Sequence, residues 1–244
     1  MAAIGIQVRD LRKRFKAVQA LDGVTTDFEP GLLHGVIGPD GAGKTTLLRT
    51  LMGLLRPTSG EVTFTRDGRP VPFNDVRPQF AYLPQSQSLY PDLSCGEHLD
   101  FFGHLYQIPA DVYRRRRAEL LHIARLEPFQ DRRAGQLSGG MYKKLGLICA
   151  LLQSPTVILL DEPTNGVDPV SRREFWDLLY RLLGENILIL MSTAYMDEAE
   201  RCGRVHLLEK GRLLADGDPH TILEREKADH FDEIFLRLGR EERT

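Results

Sequence analysis

Apolar and polar residues alternate at the start of the chain. Ile4, Ile6 and Val8 predict a half-buried strand, and Val24 to Phe28 predict a second that ends at the turn Pro30-Gly31. Leu32-Leu33-His34-Gly35-Val36-Ile37 is almost continuously apolar, the pattern of a buried strand. From Leu47 to Leu55 the leucines recur at helical spacing until Arg56-Pro57 stops the helix. Glu61 to Thr65, then Asp67-Gly68, then Val71 predict a hairpin, because Asp-Gly suits a tight turn that needs positive φ. Phe80 to Leu83 predicts a short strand ending at Pro84-Gln85.

The period then becomes helical from about Tyr90 to Leu152. His98 to Gln107 and Ala110 to Leu126 read as helices, and a third follows Leu137-Ser138-Gly139-Gly140, from Met141 onward. Val157 to Leu160 and Ile187 to Met191 predict buried strands around a helix from Val170 to Leu183. A short helix is expected at Met196 to Cys202, and a hairpin around Lys210-Gly211. After Gly217-Asp218-Pro219 one C-terminal helix is expected, with Phe231, Ile234, Phe235 and Leu238 on a single stripe. Such a mixture predicts an α/β fold: a mostly parallel central sheet, an N-terminal antiparallel β portion and a helical insertion.

The candidate chemistry sits between the first buried strand and the first helix. Gly38-Pro39-Asp40-Gly41-Ala42-Gly43-Lys44-Thr45 has the spacing Gly-x-x-x-x-Gly-Lys-Thr, followed by Thr46. A helix start offers unpaired N–H groups and a partial positive charge to a phosphate, and glycines let the backbone curl round it. Lys44 can reach the β- and γ-phosphates, the Thr45 hydroxyl can ligate Mg²⁺, and Thr46 is expected to cap. Chance produces this spacing in roughly 1% of chains of this length. A hydrolase also needs a carboxylate at a strand end for Mg²⁺ and a group that polarises water. Asp161 and Glu162, at the end of the strand from Val157, suit these two roles, with Glu162 as general base.

Composition narrows the partners. With 32 basic against 34 acidic residues the net charge is −2, so bulk electrostatics do not favour nucleic acid. Arg114 to Arg117 point all round a helix and read as a solvated face rather than a nucleic-acid patch. Cys95, Cys149 and Cys202 are too far apart for a CxxC motif and fit a reducing compartment. The first residues lack the basic-then-apolar pattern of a signal peptide, and no apolar run reaches the roughly 18–20 residues of a membrane span. A soluble, cytoplasmic chain is therefore expected.

Taken together, these residues resemble the ATP-binding domain of an ABC transporter, a P-loop NTPase with a RecA-like core, from about Ile6 to Ile222. Gly38 to Thr46 resembles the Walker A loop, Val157 to Asp161 Walker B with Glu162 as the catalytic glutamate, and Leu137 to Gly140 the family signature. Gln85 resembles the Q-loop glutamine, which the family places near the metal and the reacting phosphate, Asp168 the D-loop aspartate, and Phe15 the aromatic that stacks on adenine. The resemblance implies ATP and Mg²⁺ as cofactors. It also implies a head-to-tail sandwich with a second ATP-binding domain, in which Ser138, Gly139 and Gly140 face the partner's γ-phosphate. Transmembrane permease subunits at the cytoplasmic face of the inner membrane would be further partners, with no nucleic acid. It divides the chain into a core (1–87 and 153–222), a helical signature segment (88–152) and a C-terminal helix or linker (223–244).

Leu-Ser-Gly-Gly-Met followed by Lys143 and Lys144, together with Tyr195-Met196-Asp197-Glu198-Ala199-Glu200, looks most like exporters of drugs, antibiotics or polysaccharides. A soluble family member acting on ribosomes or DNA, and a regulatory module that never turns over, remain the alternatives. Two positions depart from the family pattern. Met141 replaces the signature's usual glutamine, with little expected consequence. Ala194 follows Ser192-Thr193 where the family has a switch histidine, and a methyl group cannot hydrogen-bond a γ-phosphate. None of His34, His98, His104, His122, His206, His220 and His230 stands at that place. The expectation is slow hydrolysis at this chain's own site, as in the degenerate first half of a tandem subunit, with Gly239 to Thr244 as linker. An alanine here is also what a deliberate histidine replacement leaves.

Overall fold

The structure, a computed structural model, describes residues 3–86, 88–183 and 186–241. Two sheets share the chain. The strands β1 (Ile4–Phe15), β2 (Val18–Phe28), β4 (Ser59–Arg66) and β5 (Arg69–Val71) form an antiparallel sheet in the order β2-β1-β4-β5. The second sheet has the order β10-β9-β3-β8-β7-β6, built from β3 (Leu33–Ile37), β6 (Phe80–Leu83), β7 (Val157–Asp161), β8 (Leu188–Thr193), β9 (Arg204–Glu209) and β10 (Arg212–Gly217). Its strands run parallel except for β10, which pairs antiparallel with β9.

The helices are α1 (Lys44–Leu51), α2 (Phe73–Val76), α3 (Cys95–Leu105), α4 (Ala110–Ala124), α5 (Gly139–Leu151), α6 (Pro169–Leu183), α7 (Pro219–Glu226) and α8 (Phe231–Glu241). Successive strand residues point to opposite faces, and this alternation divides the core in two. Ile158, Leu160, Ile189 and Met191 face a cluster that contains α3–α6 and the buried residues of α7 and α8. Val157, Leu159, Leu188 and Leu190 face the other way, onto Leu47, Leu48 and Leu51 of α1 and the antiparallel sheet. Residues inside β7 and β8 are fully buried on both faces, which is why they read as unbroken apolar runs.

Several expected boundaries shift, each for a local reason. β1 continues past Val8 to Phe15 across a register shift, and Asp10 takes φ 45° there. α3 begins at Cys95 rather than His98, because Ser94 and Glu97 form a reciprocal capping box. α5 begins at Gly139, two residues before Met141, with Ser138 as its N-cap. The single expected C-terminal helix is two: Lys227 in the left-handed region closes α7, and α8 starts anew. Thus α7 crosses the expected division at 222. Positions 239–241 continue α8, and 242–244 of the anticipated linker lie outside the described residues. The short helix expected at Met196 to Cys202 is a 3₁₀ helix over Met196–Arg201. The Asp67-Gly68 turn has positive φ at both positions, as a two-residue hairpin requires. Among the described residues no helix is long and apolar enough to cross a membrane.

A buried polar chain staples the two sheets together. The His34 and His206 rings meet at 3.0 Å, Thr26 lies 3.0 Å from the far side of His206, and His34 Nε2 faces the Glu29 carbonyl. Burial first, and then the neighbouring His206, push the His34 imidazole down from 6.5 to about 3. The unfolded chain therefore binds a proton below pH 6.5 that the folded chain refuses down to about 3, so stability falls as pH falls across that window. The limiting slope for one group is about 1.4 kcal/mol per pH unit. The urea midpoint should drop between pH 7 and 5 by the equivalent of about 2 kcal/mol from this group. Its pH dependence should flatten in His34→Gln. An unchanged dependence in that variant would contradict the assignment.

Candidate functional site

The loop from Gly38 to Gly43 joins the end of β3 to α1. Gly43 is the N-cap of α1, with φ 107° and no side-chain cap. The first N–H groups of the helix are therefore left free for an anion. Thr46 does not cap. It stands inside the first turn of α1, and its carbonyl accepts from the Thr50 hydroxyl. Two glycines are demanded by close approach: a Cβ on Gly38 would lie 2.1 Å from the Leu208 carbonyl oxygen, and one on Gly43 would lie 2.4 Å from that of Ala20. Pro39, Asp40, Gly41 and Ala42 form the rest of the curl, and Gly41 opens onto free space at φ 81°. Ala42 is buried, and its carbonyl accepts from Gly211 N.

Lys44 is 4% exposed and folds back over this loop. Its Nζ donates to the Gly38 and Pro39 carbonyls at 2.8 and 3.0 Å, and lies 3.0 Å from Glu162 Oε1. The other Glu162 oxygen accepts from Gln85 Nε2 at 2.7 Å and from Asn165 Nδ2 at 3.1 Å. Glu162 itself takes φ 46°, a strained conformation for a residue with a Cβ, and its N–H donates to the Ser192 carbonyl at 3.1 Å. Asp161, at the end of β7, accepts three hydroxyls: Thr45 at 3.0 Å, Ser192 at 2.7 Å and Tyr82 at 3.0 Å. Burial pushes the Tyr82 phenol up to about 12, so it stays protonated and donates.

This donor set fits a hard cation. A carboxylate and a hydroxyl 3.0 Å apart suit Mg²⁺, which takes one or two protein oxygens and completes its shell with phosphate and water. Among the described residues no group of three or more histidine, cysteine or carboxylate side chains could hold a metal alone, so the phosphates would supply the remaining ligands. A cleft of roughly 370 Å³ opens over the loop, with Val18, Gln19 and Ala20 on one wall and Gln85 and Glu162 on the other. Phe15 is 43% exposed and pairs with Val18 across the β1–β2 hairpin, with the Lys13 ammonium 4.9 Å from its ring centroid. The aromatic ring thus stands at the rim of the cleft rather than inside it.

Ser138, Gly139 and Gly140 do not line this cleft. They start α5 elsewhere on the chain, where the Ser138 hydroxyl accepts from Met141 N at 3.3 Å and both Ser138 and Gly139 are exposed. Gly140 packs against α6 so closely that a Cβ would lie 2.2 Å from Ser171 Cβ. Gln85 and Gly139 line a second cavity together with Lys143, Asn165 and Gly166, so Gln85 forms a wall of both. Lys143 donates from Nζ to the Gln85 carbonyl at 3.0 Å; burial lowers its pKa, against the pull of Asp161 and Glu162. Asp168 caps α6 by accepting from Val170 N and Ser171 N.

Ala194 follows the last residue of β8 and is exposed, while Thr193 O accepts from Gly38 N at 3.2 Å. Position 194 therefore stands beside the start of the phosphate loop. Of the histidines, His34, His98 and His206 are buried and the other four are exposed. Tyr82, Ser192 and Asn165 join the site without having been singled out in sequence. Asn165 had one signal, since it stands three residues after Glu162, whereas Tyr82 and Ser192 are brought in by the strands on either side of β7.

A parallel sheet with a glycine loop at the mouth of α1 and an acidic pair at a neighbouring strand end defines a P-loop nucleotide-binding protein. Comparison with known proteins narrows the class. The ABC transporter family profile matches residues 21–165, and the chain belongs to that family as its ATP-binding domain. It is 43% identical over 225 residues to the "Probable multidrug ABC transporter ATP-binding protein YbhF" of Escherichia coli (strain K12), a match covering 89% of this chain and 38% of that protein. The chain thus spans well under half of that relative. It is 38% identical over 238 residues to the Nod factor export ATP-binding protein I of Burkholderia orbicola (strain AU 1054), covering 96% of this chain and 78% of that one. A solved ATP binding subunit of an ABC transporter superposes with TM-score 0.82 at 30% identity, covering 96% of this chain and 99% of the other. The cbiO1 protein from Clostridium perfringens, part of the ABC transporter complex cbiONQ, superposes with TM-score 0.79 at 27% identity, covering 96% of each.

Proposed function

We propose that this chain binds ATP with Mg²⁺ and hydrolyses it to drive export through membrane-embedded permease subunits, working in a head-to-tail sandwich with a second ATP-binding domain. The observation that supports this best is the Lys44–Glu162 pair. At 3.0 Å and almost fully buried, it holds a cation over the phosphate loop and a carboxylate beside it. Lys44 would exchange Glu162 for the phosphate oxygens. Glu162, held by Gln85 and Asn165, would then face the attacking water as general base. Thr45 and Asp161 would hold the metal, which supplies charge neutralisation between the phosphates. Phe15 would cover the adenine from the rim. Ser138 and Gly139, exposed at the start of α5, and the N–H of Gly140 behind them would meet the partner domain's γ-phosphate.

On this reading the core comprises 1–87 and 153–222, and the helices within 88–152 carry the signature and meet the permease. The chain sits at the cytoplasmic face of the inner membrane through that contact. Export is supported by the two relatives named for multidrug and Nod factor transport.

The chain's own site is proposed to turn over slowly. Ala194 offers a methyl group beside the phosphate loop, where a hydrogen-bond donor would hold the γ-phosphate. Removal of one such donor typically costs about 10²–10³ in rate. Ala194→His should therefore raise steady-state ATPase by at least about tenfold, with ATP affinity little changed. If the parent chain already turns over at about 1–10 per second and the variant adds nothing, the slow-site reading fails.

A further inference from the structure

We propose that Glu198 is a positioning residue for hydrolysis, fixing the segment that carries position 194 onto the loop that carries Glu162. The proposal rests on the hydrolytic reading above. Glu198 lies in the 3₁₀ turn Met196–Arg201 and is completely buried. A buried carboxylate is costly unless its oxygens are well bonded. Here Oε1 accepts from Arg172 Nε at 2.7 Å and from Trp176 Nε1 at 3.1 Å, and Oε2 accepts from the Thr164 hydroxyl at 3.2 Å. Thr164 is two residues beyond Glu162 in the same loop.

Arg172 completes the clamp. It pairs through Nη2 with Asp197 at 2.6 Å, and its guanidinium lies 4.6 Å from the Tyr195 ring centroid. It stands in the first turn of α6, the helix that Asp168 caps. The segment 194–198 is thus pinned at both ends. At one end Thr193 O accepts from Gly38 N of the phosphate loop, and at the other Glu198 holds Thr164. Four residues bridge these anchors, and Ala194 is the first of them. Any side chain at 194 inherits its placement from this bridge, and a misplacement of about 1 Å in a reacting geometry can cost about 10²-fold.

Glu198→Gln conserves the clamp. Its amide oxygen can accept from Arg172 and Trp176, and its NH₂ can donate to Thr164 Oγ1. Glu198→Ala removes all three bonds. ATPase kinetics of both variants should be measured in the parent chain and in the Ala194→His chain. In the Ala194→His chain, Glu198→Ala should lower kcat by about tenfold with KM within about twofold, and Glu198→Gln should stay within about twofold of its parent. The loss from Glu198→Ala should be several-fold smaller in the parent chain, where a methyl group has no donor to place. Equal fractional losses in both backgrounds, or no recovery with glutamine, would overturn the proposal in favour of plain packing.

Hydrogen exchange on the nucleotide-free chain supplies the second arm. The Tyr195 amide donates to the Thr193 hydroxyl, and the amide at 198 donates to the Tyr195 carbonyl. Both should exchange at least about tenfold faster in Glu198→Ala while the amides of α1 keep their rates. Unchanged exchange at 195 and 198 would also overturn the proposal. Should Ala194→His bring no rate gain, the slow-site reading falls, and the exchange comparison still decides the role of Glu198.

Discussion

Lys44→Ala is expected to weaken ATP binding by roughly 150- to 1000-fold, about 3–4 kcal/mol. Two losses add. The ammonium can no longer meet the phosphates, a charge-assisted contact made in a buried cleft. Glu162 also loses its cation while remaining 5% exposed, so a nearly uncompensated carboxylate faces the incoming anion. The Gly38 and Pro39 carbonyls lose a donor as well. Titration calorimetry of the variant with ATP and Mg²⁺ reads the effect directly. An affinity within threefold of the parent would show that the anion is gripped elsewhere.

Glu162→Gln is expected to separate binding from chemistry. A glutamine keeps the shape and can still accept from Gln85 or Asn165, but it has no negative charge and no basicity. Single-turnover hydrolysis should fall by about 10²-fold or more, the range lost with a general base. ATP affinity should hold or rise, because Lys44 is released from its ion pair and a carboxylate is removed from beside the phosphates. A variant that keeps its single-turnover rate would remove Glu162 from the reaction. One that binds less tightly would show that the Lys44–Glu162 pair supports the site rather than competing with nucleotide.

The sequence revealed most of the fold because the central strands are buried on both faces. Val157–Leu160 and Ile187–Met191 had no polar positions to confuse the reading, and their apolar runs became β7 and β8 almost to the residue. Boundaries set by capping were harder. The reciprocal Ser94–Glu97 pair that starts α3 was present as a Ser-x-x-Glu pattern but lay just ahead of the helical period. The break between α7 and α8 depends on a lysine in the left-handed region, which no local pattern announces.

The phosphate loop was legible because its spacing is dictated by backbone geometry, and the glycines at 38 and 43 have carbonyl oxygens within 2.4 Å of where a Cβ would stand. Its consequences for neighbours were not. Tyr82 and Ser192 reach Asp161 only because β6 and β8 flank β7, a fact of sheet order rather than of sequence. Glu198 was named only within the exporter-like run Tyr195 to Glu200, and its burial against Thr164, Arg172 and Trp176 required α6 to be folded against the segment after β8. That Thr46 does not cap has a clear reason in retrospect. A side-chain cap would occupy N–H groups that a phosphate needs.

On the proposed function, the free mouth of α1, with Lys44 above it, receives the phosphates of a Mg²⁺-bound nucleotide. Calorimetric titration of the parent chain with ATP, with and without Mg²⁺, tests it most directly. One nucleotide per chain is expected to bind with a dissociation constant between about 1 µM and 1 mM in the presence of the metal, and more weakly without it. No heat of association up to millimolar ATP with Mg²⁺ present would contradict it.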